Sequence, residues 1–461
     1  MLTACPRANV TGTIQARPAS AGSIQAISAE AGQPLAFSTT QQGKTLTLVA
    51  SAGGLATHLT AGLGGKPYAL AAAPEGPAPA MPYHTRFAAR PGPARKRLLA
   101  EPARVLGAAE TFWVNTGDAS NDVLQTAVLE RITDHAFFYK DKQAKAISDA
   151  QFDALVAEFE TKIYPREAAV FGTPPHPGVD NEERVFIVVS PAVDNFGKEK
   201  GLMGYFWSRD ALPNGKGGEH SNRKEVLFMS DKLFDYPALT SFGTMAHEYQ
   251  HLLNFSAKSV RSNFTVAEET WLDEGLAMYA MEVAGYGLPA GDPLIAKDLN
   301  EFLRNPLAYS LTDWENNPHH FSYGQNYLFV RYLADRYGAD AIKDLYASDR
   351  TGVGAVEDSL KKRNDTFAQF FADWAVTNVV TGLPVAVGTK YRYQGLDLAG
   401  DFGGFRLPGL QTTRVIDGNA SMVLRPWGCA YLTYVAGAEQ AWSLALSSTE
   451  PAKLVGAAVL N

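Results

Sequence analysis

Two histidines four residues apart, His247 and His251, enclose Glu248 in the segment HEYQH, within a chain of 461 residues that has only nine histidines. In a helix, positions i and i+4 share one face, so both imidazoles can point at a single ion. Glu248 is rotated by about 100° from His247, close to that ion but not aimed at it. A general base belongs there if it is to take a proton from a metal-activated water. The alternative is a helix with two satisfied core histidines. With histidine this rare, chance produces the pattern in one such chain on the order of 1% of the time.

A catalytic zinc takes three protein ligands and keeps one position for water. Downstream lies EETWLDEGLAMYA, where Glu274 sits among Trp271, Leu272, Leu276, Ala277 and Tyr279. A solvated glutamate in a first helical turn is favoured by the helix dipole. On so apolar a helix, however, a carboxylate needs a partner, and a divalent cation is a good one. Glu274 is the expected third ligand, with Glu268, Glu269 and Asp273 as weaker candidates. Zinc suits N/N/O ligation without being forced by it, since cobalt or manganese fits the same cage.

The elements that must position these groups can be read from periodicity. Leu239, Phe242, Ala246, Tyr249, Leu252 and Leu253 give apolar faces to a helix from about Leu239 to Phe255. Helical patterns continue through TWLDEGLAMYAMEVAGY, PLIAKDLNEFLRN, SYGQNYLFVRYLADRYG and DTFAQFFADWAVTNVV, which makes 237–387 a helical lobe carrying the metal site. Before it, 110–236 forms a sheet-containing lobe. RVFIVVS and KEVLFMS look like its inner strands, GLMGYFWSRD like an edge strand lining a cleft, and SDAQFDALVAEFETKIYPREAAVF like a helix capped by Ser148. Residues 6–60, with alternating runs such as KTLTLVAS, predict a small β module, 61–109 an Ala/Pro/Gly-rich and basic linker, and 388–461 a C-terminal β domain. The expected class is α+β multidomain, a catalytic domain of a mixed-sheet lobe and a helical lobe flanked by β modules.

HEYQH followed by WLDEGLA resembles the glutamate-zincin metallopeptidases, and the hyicolysin family in particular, where comparable helices carry HEXXH and then a Trp-Leu-X-Glu-Gly signature. The second motif is also similar to that of zinc aminopeptidases related to thermolysin-like folds. The likeness extends from the strands near Phe186 through SYGQNYLFVRYL and is not traceable through the first hundred residues. It implies a zincin fold, with His247, His251 and Glu274 as zinc ligands and Glu248 as the catalytic glutamate. It also implies a tyrosine that donates to the oxyanion, for which Tyr323 is the matching position. Tyr327 and His320 are rivals, and His319 beside it is a further donor in reach. The aminopeptidases recognise a free N-terminus through a Gly-X-Met-Glu-Asn segment upstream of HEXXH. The absence of that segment here favours a zinc endopeptidase acting on protein or peptide substrates.

Composition narrows the rest. A net charge of -7 gives no reason for a nucleic-acid partner, and no apolar run reaches membrane-spanning length. Leu2-Thr3-Ala4-Cys5 resembles the lipobox of bacterial lipoproteins, which would tether the chain to a membrane through a lipidated Cys5. A Cys5–Cys429 disulfide and a chance match are the other readings, and the first two point to an extracellular or cell-surface location. VDNEE (Val179–Glu183) and DWENN (Asp313–Asn317) keep calcium open as a second ion, although solvated turns explain them more simply. Two other classes remain as alternatives, a surface binding or adhesion protein with a retained, non-proteolytic zinc site and a non-peptidase zinc hydrolase. Oligomeric state is not legible in the sequence.

Overall fold

The computed structural model describes residues 104–115, 122–195, 202–213, 216–317, 322–381, 388–414 and 419–435, with further segments between 14 and 63 and between 440 and 460. The chain divides into two units. One is built from Thr85–Ala296 and Gly338–Ser359, the other from Met1–His84, Lys297–Tyr337 and Leu360–Asn461.

The first unit is organised on a six-stranded sheet. Strands β1 (Ala109–Val114), β2 (Val123–Ile132) and β3 (Ala136–Asp141) form an antiparallel meander. β3 then pairs in parallel with β4 (Val185–Ser190), and β4 in parallel with β6 (Val226–Ser230). The short β5 (Gly204–Phe206) runs antiparallel to β6 and ends the sheet at that side. Every residue of β4 and β6 is buried, as apolar runs covered on both faces must be. One face closes over Phe112, Tyr139, Phe186, Val188 and Phe228. Phe138 leads instead through Phe159 to Tyr249, with ring centroids 5.9 and 5.2 Å apart.

A parallel pair needs a crossover, and helices α1 (Asp149–Glu158) and α2 (Tyr164–Phe171) supply the one between β3 and β4. Ser148 caps α1 through a reciprocal capping box with Gln151. The single helix expected over this stretch is interrupted by a π turn, Phe159–Ile163. Pro165 follows it and has no N–H for a regular helical bond, which favours a widened turn there.

The long helix α3 (Ala238–Phe255) and α4 (Thr270–Ala284) pack against each other. Gly243 permits their approach, since a Cβ there would come within 2.8 Å of the Met281 side chain. α4 stops at Gly285, whose φ of 98° is the left-handed cap conformation, with Tyr286 N donating to Met281 O at 2.7 Å. Further along are α5 (Pro293–Arg304), α6 (Tyr323–Tyr337), α7 (Ala339–Ala347), α8 (Gly352–Lys361) and α9 (Phe367–Val380). The link between α3 and α4 is pinned by a buried lysine. Lys258 Nζ donates to the carbonyls of Leu345 (2.6 Å), Ser348 (3.0 Å) and Arg350 (2.8 Å) and lies 3.6 Å from Glu268 Oε2. It thereby ties the segment after α3 to carbonyls at the end of α7 and just beyond it.

In the second unit the separate N-terminal and C-terminal β modules expected from sequence are joined. One five-stranded sheet runs in the order Ile14–Gln15, Leu35–Thr39, Gln440–Ser447, Thr57–Leu63, Asn419–Leu424. The other runs Thr413–Arg414, Cys429–Val435, Thr45–Ser51, Lys453–Leu460, Ile24–Glu30. Alternation marks a segment as a strand but does not name its partner, so this pairing was invisible locally. The helical stretch 237–387 is likewise shared, with 297–337 and the part from Leu360 belonging to the β-rich unit. There α6 and α9 meet through Phe329, which contacts Phe370 and Trp374 at 5.3 and 5.7 Å.

Most of the expected linker, 64–103, lies outside the described residues, as does Cys5; Cys429 is buried in its strand. Arg104, at the linker's end, belongs to the folded body. Its guanidinium lies 3.3 Å from Glu182 and 4.6 Å from the centre of the Phe186 ring. Among the described residues, no helix is long and apolar enough to cross a membrane.

Candidate metal centre

The two helices bring three side chains to one point. His247 Nε2 lies 3.2 Å and His251 Nε2 3.6 Å from Glu274 Oε2, and the ligand atoms of all three lie within 4.8 Å of one another. The imidazole planes are nearly perpendicular, at 82°. Zinc bonds of 2.0–2.2 Å in a tetrahedron put neighbouring ligand atoms about 3.3–3.5 Å apart, which the two carboxylate distances approach. Glu274 Oε2 is buried and faces the two imidazole nitrogens, an anion among neutral or cationic nitrogen donors that a divalent cation would bind together. Burial raises the pKa of this carboxyl, but His251 and His247 outweigh it and hold the group well below the usual carboxylate range. The donor set therefore fits a divalent ion of the zinc type.

Glu248 stands beside this group. It is buried, and its Oε2 accepts a 3.0 Å hydrogen bond from the N–H of Phe206 in β5. Gly204, two residues earlier, allows α3 to lie this close to the strand. A Cβ there would be 3.0 Å from Phe228 O and 3.1 Å from Glu248 Cγ. Burial pushes the Glu248 carboxyl above its ordinary pKa, against the opposing pull of His247 and His251.

The weaker ligand candidates are occupied elsewhere. Glu268 accepts from Gly352 N at 2.7 Å, and Glu269 Oε2 accepts from Trp271 Nε1 at 2.8 Å. Asp273 turns to the far side of His251, its Oδ2 3.0 Å from Nδ1, while Asn254 Nδ2 donates to Asp273 Oδ1 at 2.6 Å. Sequence reasoning ranked Asp273 only as a spare ligand and missed this orienting contact. Its place directly before Glu274 was a signal, because a ligating histidine commonly gives its second N–H to a carboxylate. Nothing in the sequence announced the Phe206 N–H.

Tyr323 and Tyr327 are not part of this constellation's unit. Tyr323 opens α6 with its ring 4.9 Å from that of Trp314, and the Tyr327 hydroxyl accepts from Arg331 Nη1 at 3.2 Å. His319 and His320 lie outside the described residues. In the acidic segments considered for calcium, arginines engage the carboxylates: Arg104 and Arg184 at Glu182, and Arg425 at Asp313. Among the described residues, His247, His251 and Glu274 are the one group of three arranged for a metal.

A model of the Peptidase M30 family matches residues 113–410, about two thirds of the chain, and that span contains the whole constellation. The chain belongs to the Peptidase M30 family. Neutral metalloprotease ShpI of Staphylococcus hyicus is 29% identical over 242 residues, which cover 50% of this chain and 50% of that protein. This M30 chain thus spans about half the length of the curated relative it matches.

Proposed function

We propose that this M30 chain is a zinc-dependent endopeptidase in which His247, His251 and Glu274 hold one ion and Glu248 is the general base. The observation that carries the reading is Glu274 Oε2 facing two imidazole nitrogens, the three ligand atoms within 4.8 Å of one another, with a buried carboxyl alongside. A zinc ion bound there supplies Lewis acidity that activates a water and polarises a carbonyl. Glu248 takes the proton of the attacking water and then delivers it to the leaving amine. The Phe206 N–H fixes the orientation of its carboxylate for both transfers. Tyr323 is proposed as oxyanion donor on the strength of the family resemblance alone.

An endopeptidase is favoured because β5 is an edge strand beside Glu248, and an extended peptide can add to such an edge through main-chain hydrogen bonds. The matching protein's name, a neutral metalloprotease, supports protein or peptide substrates, and an extracellular location is proposed with them. The deciding experiment is metal analysis of dialysed wild type and Glu274→Ala, paired with hydrolysis of denatured casein by wild type and Glu248→Gln. The reading expects about one zinc per wild-type chain, its loss in Glu274→Ala, and casein cleavage abolished in Glu248→Gln with zinc retained. Zinc retained in Glu274→Ala would remove that ligand. Zinc bound without casein cleavage would favour a binding protein or another zinc hydrolase.

A further inference from the structure

The segment between α5 and α6 is not built like an ordinary loop. Connecting chain normally runs over the surface, where water satisfies its backbone. Here Tyr309, Ser310, Leu311, Trp314 and Asn317 are all buried. Their polar groups are met by one short turn, Arg425–Gly428. That turn joins the strand Asn419–Leu424 of one five-stranded sheet to the strand Cys429–Val435 of the other. Ser310 forms an isolated bridge with Gly428, its Oγ donates to Pro426 O, and Leu311 N donates to Trp427 O at 3.0 Å. Arg425 supplies the side-chain half of the contact. Its Nη1 donates to Ala308 O at 3.1 Å and to Asn317 Oδ1 at 2.9 Å, and its Nη2 pairs with Asp313. Asn317 closes the loop on itself, its Oδ1 accepting from Ser310 N and its Nδ2 donating to Ser310 O, both at 2.8 Å.

The turn is itself firmly held. Trp427 sits at φ 50°, a conformation that a bulky residue rarely adopts. Its N–H donates to Gly53 O at 2.9 Å, and its ring lies 4.6 and 5.4 Å from those of Phe367 and Phe371 in α9. Strain of this kind persists only where the surrounding contacts over-determine it. What the pinned loop presents is Trp314, the neighbour of Asp313, with its ring edge-on to Tyr323 at 4.9 Å. Gly324 fixes the start of α6 from the α5 side, since a Cβ there would fall 2.4 Å from Asp298 O. Tyr323 is thus set at its backbone by α5 and at its ring by a loop that Arg425 ties to the sheets, all within the β-rich unit. We propose that Arg425 is a positioning residue for Tyr323, acting through Asp313, Asn317 and Trp314, so that the β-rich unit is a working part of the peptidase. The inference rests on the endopeptidase reading with Tyr323 as oxyanion donor, and deepens it.

The test is a double-mutant cycle on the full chain, read with an internally quenched peptide built around a bond that wild type cuts in casein. Tyr323→Phe should lower kcat by about 10²–10³-fold, the usual cost of losing one oxyanion donor. Arg425→Ala should lower kcat by about 10–100-fold, the scale of a misplacement of about 1 Å. Its KM should stay within about threefold of wild type, because the loss falls on the transition state. Zinc content should be unchanged. In the Tyr323→Phe background, Arg425→Ala should cost less than about threefold more, since the two act as one unit. Arg425→Lys keeps the charge without the fork and should recover only part of kcat. Asp313→Asn, which removes the anion and keeps the shape, should repeat the pattern with a smaller loss, and it carries the cycle if Arg425→Ala lacks a cooperative thermal transition. Wild-type kcat in Arg425→Ala, in an enzyme that Tyr323→Phe disables, overturns the inference. So does an equal fold-loss in both backgrounds, the mark of a general structural defect. Wild-type kcat in Tyr323→Phe removes the oxyanion reading and the inference with it, whereas zinc-loaded wild type that cleaves neither peptide nor casein defeats the endopeptidase reading itself.

Discussion

Asp273→Ala is the most informative perturbation of the metal site, because it removes an orienting group without touching a ligand. In the structure Asp273 Oδ2 is 3.0 Å from His251 Nδ1 and its Oδ1 is held at 2.6 Å by Asn254. That chain fixes the ring so that Nε2 faces Glu274, and it makes the imidazole a stronger donor. A hydrogen bond to a charged group contributes about 1.5–3 kcal/mol. The Asp273 side chain is 30% exposed, so the lower part of that range applies. About 1.4 kcal/mol corresponds to tenfold, and losses of about 10–100-fold are typical when such a partner is removed. The expected result is therefore a zinc affinity roughly tenfold weaker, measured by competition with a chromophoric chelator, with the same one-to-one stoichiometry. Asn254→Ala should weaken binding less and in the same direction. An Asp273→Ala affinity within about twofold of wild type would refute the reasoning, as would an effect as large as that of Glu274→Ala.

Three other outcomes follow from the same geometry. Lys258→Met should lower stability by about 3–5 kcal/mol by leaving Glu268 buried without its cation; a thermal midpoint within 2 °C or so of wild type would contradict the brace. Gly204→Ala should lose about 1–3 kcal/mol through overpacking against Phe228 O and Glu248, with casein turnover reduced and zinc retained; unchanged turnover would show that β5 does not set the position of Glu248. The third concerns pH. Burial lowers the pKa of His251, but Asp273 and Glu274 outweigh it and raise the group well above its ordinary value of 6.5. In the metal-free protein this contact is fully stabilising below about pH 6.5 and is lost as pH rises through the raised value. Zinc needs the neutral ring, so its affinity and its stabilising increment should both grow with pH up to that raised value and level off above it. Chelator competition between about pH 5.5 and 8.5 measures this, and a flat profile would contradict it.

The metal constellation was legible because its signal is local. HEYQH places two imidazoles and a carboxyl on one helix by spacing alone, and an acidic residue on the apolar TWLDEG helix stands out against its neighbours. The structure brings His247, His251 and Glu274 together as a group that could hold a metal. RVFIVVS and KEVLFMS also read correctly as inner strands, since a run buried on both faces has no polar period to confuse it. What failed was non-local. Thr45–Ser51 looked like part of a small N-terminal module because its partners, Cys429–Val435 and Lys453–Leu460, lie at the other end of the chain. The π turn at Phe159–Ile163 escaped because a five-residue widening leaves the helical period nearly intact. The Phe206 N–H is a backbone group, and no side-chain identity marks it.

The interleaved strands also bear on how the chain is made. Ser51 pairs with Cys429, so a strand near the start waits for one translated roughly 380 residues later. At about 5–20 residues per second that delay is about 20–75 s. Throughout it, Thr45–Ser51 has an unsatisfied edge on both sides, the condition under which nascent strands associate with the wrong neighbour. Folding of the β-rich unit is thus decoupled from the order of synthesis, while the sheet and helices around HEYQH draw on residues up to Ser359 and are complete earlier. The unit around HEYQH has its whole sequence available before the β-rich unit does, so the early strands are the part of the chain longest exposed to wrong pairing during synthesis.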